Sequence, residues 1–160
     1  MKNSLFTIII ISALLASCSP DIVLQQNKDI DSSGWHKDSI IQTEFKPKTD
    51  QIYNLYFLIR NNNDYPYSNL FLIAKITDAK HQEIDTLEYE MADAEGKWLG
   101  NGIWDLKESK LVFKNNYQFK DSLTKTISLQ QADRKSGQIL GDSILKGINT
   151  VGIIIEQNRQ

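Results

Sequence analysis

Few side chains in this 160-residue sequence are equipped for chemistry, and their spacing narrows the choice further. His36 and His81 are the two imidazoles, the groups that change charge near neutrality. Both stand among charged and turn-forming neighbours, which predicts solvated surface histidines. Neither falls in an H-x-x-x-H spacing, and a lone thiol, Cys18, cannot complete a zinc ligand set, so no metal is expected. Asp29-Ile30-Asp31-Ser32-Ser33-Gly34 repeats the first half of a calcium loop, but Ile40 stands where a bidentate glutamate is required. Gly100-Asn101-Gly102 lacks the third glycine and following helix of a phosphate-binding loop, and no G-x-S-x-G elbow occurs. Glu83, Asp85, Glu88 and Asp105 could form a hydrolytic pair only if folding joined two of them, and solvated charges are expected instead. No catalytic residue, cofactor or metal ligand is assigned. Trp35, Trp98 and Trp104, with Tyr53, Tyr56, Tyr65 and Tyr67, could build a stacking surface for a glycan or a protein anchor, although most aromatics of a small sandwich are core.

The thiol has its own context. Met1-Lys2-Asn3 gives a short positive region, and Leu5 to Ala16 an apolar run too short for a bilayer that needs about 20 helical residues. Leu15-Ala16-Ser17-Cys18 then resembles a lipobox, in which small residues fit a narrow protease cleft and the cysteine thiol accepts a diacylglyceryl group. Residues 1–17 are expected to be cleaved, leaving Cys18 as a lipidated N-terminus. At about 0.8 kcal/mol per buried methylene, two or three acyl chains hold a protein on a membrane almost permanently. Removing the leader also removes Lys2, so the remaining 143 residues carry 17 basic and 20 acidic side chains, a balance of −3 that points away from nucleic acid.

Elements that would carry these groups read as short strands. Residues 18–34 are polar and aperiodic, the composition of a flexible tether. Ile52 to Arg60, Leu70 to Thr77 and Ile84 to Met91 alternate or run apolar between turn clusters. Shorter candidates are Leu111 to Phe113, Tyr117 to Phe119 and Lys125 to Leu129, with Thr124 to Lys135 equally compatible with a brief helix. Val151 to Glu156 is β-branched and predicts a central strand. Gly100 and Gly102, among aromatics, predict a bulge or a close backbone approach. The expectation is all-β: an antiparallel β-sandwich of seven to eight strands over residues 35–160, either jelly-roll or immunoglobulin-like.

Beyond the lipobox, Tyr53, Phe57 and Arg60 leading into Tyr65-Pro66-Tyr67-Ser68-Asn69-Leu70, then Trp98-Leu99-Gly100-Asn101-Gly102, then Leu145-Lys146-Gly147-Ile148-Asn149-Thr150-Val151-Gly152-Ile153, together resemble the gliding-motility lipoprotein family of Bacteroidetes known as GldH. The resemblance runs from leader to C-terminus. It implies a non-enzymatic envelope protein needed for surface gliding and linked to machinery that exports proteins across the outer membrane, with other gliding or secretion proteins as partners. Cys18 is the only site residue it carries over. Ser19-Pro20-Asp21 lacks a dense acidic run, so the periplasmic face of the outer membrane is expected.

Overall fold

The computed structural model of the chain describes residues 21–134 and 141–158. The expected leader and Cys18 lie outside the described residues. Ten strands form: β1 Asp21–Asp29, β2 Trp35–His36, β3 Ile41–Phe45, β4 Tyr53–Asn61, β5 Asn69–Thr77, β6 Gln82–Glu90, β7 Lys107–Tyr117, β8 Lys125–Gln131, β9 Ile144–Leu145 and β10 Ile148–Gln157. Two four-stranded sheets run in the orders β1-β10-β4-β7 and β3-β8-β5-β6, and β2 pairs with β9 in a small ladder. Every pairing is antiparallel.

The eight long strands pair first with last, second with seventh, third with sixth and fourth with fifth. That is a single long hairpin rolled up on itself. It selects the jelly roll of the two sandwich topologies that the alternation left open. Alternation explains why the roll closes. Leu55, Phe57 and Ile59 of β4, with Val151, Ile153 and Ile155 of β10, meet Leu70, Leu72, Ala74 and Ile76 of β5 and Ile127 and Leu129 of β8 in one core. Phe57 stacks on Phe113 with ring centroids 4.8 Å apart. Along the β6 and β7 side the seam is polar: Lys114 bridges Glu83 (2.5 Å) and Asp85 (2.8 Å), and the Tyr89 hydroxyl donates to the Val112 carbonyl (2.7 Å).

One expectation changes and one open alternative is settled. Residues 21–29, read as part of a tether over 18–34, form β1, aligned with β10 from Asp21↔Gln157 to Asp29↔Thr150. Apart from Leu24, its side chains pack little against the core, so backbone pairing holds it and no apolar period marks it. The folded body therefore includes Asp21–Asp29. The equivocal segment after Thr124 is strand β8, with alternating burial.

A rolled hairpin gathers its loops at two ends. Loops 46–52, 78–81 and 118–124 lie at the end where β1 begins, and the 30–40, 62–68 and 91–106 connections, with residues 132–134 and 141–147, lie at the other.

Candidate functional site

Most residues with chemical potential are engaged structurally. Lys125 is almost fully buried and sits between Asp78 and Asp121, donating to both carboxylates (2.7 Å to Asp121). Its hydrogen bonds hold both aspartates below the usual carboxylate range. His81 joins this cluster only loosely, its Nδ1 3.7 Å from Asp78. Asp78, His81 and Asp121 place donor atoms within 4.8 Å of one another, but Lys125 already supplies the positive charge. His36 lies at the opposite end, half-exposed beside Asp38 (3.6 Å). Sequence reasoning missed Lys125 because nothing in a strand pattern marks a lysine as buried.

Glu83 and Asp85 do converge, on Lys114 rather than on a substrate-sized gap. Burial works against the Lys114 charge, but its hydrogen bonds to the two carboxylates outweigh that and raise its pKa. Glu88 accepts from Asn69 (2.8 Å), and Asp105 is exposed in the 91–106 loop. The calcium-like run divides between two jobs: Asp29 accepts from Thr150 (3.0 Å), while Asp31 accepts the Ser33 amide (2.8 Å) in a turn.

Of the aromatics, Trp35, Tyr53 and Tyr65 are core, with the Trp35 indole N–H donating to the Ser39 carbonyl (2.8 Å). Tyr56 lies under Lys110 (4.1 Å), and the Tyr67 hydroxyl donates to Asp142. Trp98 is half-buried against Tyr65 (6.0 Å between rings) and donates to Asn63 (2.9 Å). Only Trp104 is displayed, at 90 % exposure, next to Ile103 at 77 %. The aromatics thus share no stacking platform.

Trp104 is shown by a loop that its glycines make possible. A Cβ on Gly102, at φ +155°, would overlap the Leu106 carbonyl oxygen, and one on Gly100 would lie 2.7 Å from Ser109 Oγ. Of the bulge or close backbone approach that the sequence predicted, both glycines show the close approach. Asn101 and Glu108 exchange backbone hydrogen bonds (2.9 and 2.7 Å), and Lys107 Nζ donates to the Gly102 carbonyl (3.1 Å). Leu99, Ile103, Trp104 and Leu106 are all exposed on this one loop.

Just after β8, Asp133 is 1 % exposed. Its Oδ1 accepts the Phe71 amide (3.2 Å), whereas Oδ2 has no hydrogen-bond partner among the described residues. Burial, aided by the charge of Asp142 and opposed by the Phe71 hydrogen bond, pushes its pKa up to about 7. From about pH 4 to 7 the folded chain keeps a proton that the unfolded chain has lost, so stability falls across that window and stays reduced above it. Asp133→Asn keeps the acceptor for Phe71 without the charge. We expect little change at pH 4 and a gain of about 2–4 kcal/mol at pH 8. Urea unfolding at both pH values checks this, and an equal effect at both would show that burial of charge is not the cost.

Comparison with known proteins gives these features a family. Residues 22–155 match the GldH lipoprotein family. The chain is 43% identical over 157 residues to the "Gliding motility lipoprotein GldH homolog" of Christiangramia forsetii, covering 97% of this chain and 96% of that one. It is 42% identical over 160 residues to the "Gliding motility lipoprotein GldH" of Flavobacterium johnsoniae, covering 98% of each. Among solved structures, the infectious bursal disease virus VP2 subviral particle aligns with 87% of this chain and 30% of its own, at 15% identity and a TM-score of 0.34, too loose a likeness to build on. The motifs quoted from the sequence and these matches over nearly the whole length agree: the chain belongs to the GldH lipoprotein family.

Proposed function

We propose that this protein is a non-enzymatic accessory component of the gliding motility machinery and its associated protein secretion apparatus, held by lipid on Cys18 at the periplasmic face of the outer membrane. The observation that carries this reading is the match, over almost the full length of both chains, to two proteins named as gliding motility lipoproteins. The engagement of Lys125, Asp78, Asp121, Glu83 and Asp85 in structural ion pairs supports a role in assembly rather than turnover.

The test is genetic and biochemical together. Deleting the gene is expected to abolish spreading on agar, wild-type protein to restore it, and Cys18→Ala to leave the chain in the soluble periplasm without restoring it. Normal spreading of the deletion strain would refute the motility role, and membrane retention of the Cys18→Ala chain would refute the anchor. Protease shaving of intact cells reads the face: a protected domain is expected.

A further inference from the structure

Two depressions of about 440 and 320 Å³ adjoin near the long-loop end of the roll, and Asp142 lies in the wall of both. The larger sits on the outer face of the β3-β8-β5-β6 sheet. Phe71 and Ile73, which alternate with the core positions of β5, give it an apolar floor. Thr86 of β6 and Gln130 of β8, both aligned with Ile73, stand to either side, and Lys37, Asp133 and Arg134 close the rim. The smaller has Pro66 and Tyr67 as its apolar surface, with Asp64 and Lys146 as its further charges.

The shared wall is held in place by the chain itself. The Asp142 amide donates to the Asp133 carbonyl (2.8 Å), the Asp133 amide to Gln131 Oε1 (3.1 Å), and Gln131 Nε2 to the Asp142 carbonyl (2.9 Å). Gln130 Nε2 donates to the Lys37 carbonyl (2.7 Å), and the Tyr67 hydroxyl to Asp142. One acceptor in this frame is left over. Asp133 lines the larger depression, almost wholly buried, with an Oδ2 that has no hydrogen-bond partner among the described residues. A buried acceptor without a donor is a standing cost that a ligand hydroxyl removes.

The lining also selects the class of ligand. Asp133 and Asp142 are matched in number by Lys37 and Arg134, so the larger depression offers no net charge to an anion or a cation. An extended peptide is disfavoured too, because β5 and β8 are paired on both sides and leave no open backbone edge beneath it. A neutral molecule with hydroxyls at its edge and a C–H face for an aromatic ring meets both conditions. We infer that the paired depressions bind an uncharged oligosaccharide, one pyranose over Phe71 with a hydroxyl donated to Asp133 and the next against Tyr67.

The experiment titrates cellotetraose, mannotetraose and chitotetraose into the full chain at pH 8, in a detergent without a sugar headgroup. Saturation-transfer NMR and calorimetry are expected to find at least one of them bound with a dissociation constant below about 1 mM. Asp133→Asn, which should be more stable than the wild type at that pH, removes a charged acceptor, and Phe71→Ser removes the ring. Each is expected to weaken binding roughly tenfold or more in a chain that circular dichroism shows folded, while Lys48→Ala at the opposite end leaves it unchanged. Binding of chitotetraose alone would name amino-sugar strands as the source, and of a hexose chain alone neutral polysaccharide; either upholds the inference. Binding of none of the three, binding that survives either substitution, or binding of spermine or oligogalacturonate in their place would overturn it.

Discussion

A version of the chain that starts at Ser32, after β1, is expected to self-associate, whereas one that starts at Ser19 stays monomeric. Strand β1 makes eight aligned pairs with β10. The net gain of those hydrogen bonds, about 1 kcal/mol each, is of the same order as the chain entropy recovered when nine residues are released, so the first effect is not a lower melting point. What changes is the edge. Without β1, the strand carrying Val151, Ile153, Ile154 and Ile155 shows a row of open backbone groups, and an exposed apolar edge strand pairs with whatever strand it meets. Size-exclusion chromatography with light scattering distinguishes the outcomes. A monomer from the Ser32 start would mean that β1 is dispensable and that residues 18–34 act as a tether after all.

That prediction depends on the strand least visible in the sequence. Apolar period and β-branching locate β4 and β5 within one residue at each end, and find β10, buried on both faces, from Val151 although it begins at Ile148. Where the backbone alone does the holding, as in β1, composition resembles a linker. Strand β7 reads as two fragments, Leu111 to Phe113 and Tyr117 to Phe119, because Lys114, Asn115 and Asn116 interrupt its apolar residues; its polar start from Lys107 to Lys110 gives no apolar signal, and it ends at Tyr117, short of Phe119. Strand β8 is ambiguous because two of its inward positions, Lys125 and Gln131, are polar: one charge is satisfied by two aspartates, and the amide donates to the Asp142 carbonyl. At the distal end the glycines of Trp98-Leu99-Gly100-Asn101-Gly102 announce a tight loop. Which of its tryptophans would be displayed depends on Tyr65 and Asn63 arriving from a different loop to hold Trp98 back.

Gly147→Ala should remove about 3–5 kcal/mol, lowering the melting temperature by roughly 10–15 °C, because two costs coincide there. Gly147 has φ +75°, where alanine is strained. Its Cβ would also overlap the Tyr65 amide nitrogen and lie 2.6 Å from the carbonyl carbon of Asp64 and from Tyr65 Cα. These atoms are backbone, so no side chain can rotate clear. Relief requires the 62–65 turn to move, which breaks the Asn62 N–H to Gly147 carbonyl bond (2.8 Å) and shifts Tyr65, whose hydroxyl donates to the Asn69 carbonyl (2.7 Å) and whose ring packs on Trp98. Gly96 is the control: φ is +81° but nothing lies within 4 Å of its added Cβ, so Gly96→Ala should cost only about 1 kcal/mol. Equal losses at the two glycines would refute the steric account. A much larger loss at Gly147, with a change in tryptophan fluorescence, would show why the three motifs that carry the family resemblance belong together. They meet at Tyr65, whose backbone abuts Gly147 and whose ring packs on Trp98 at the start of the loop bearing Trp104.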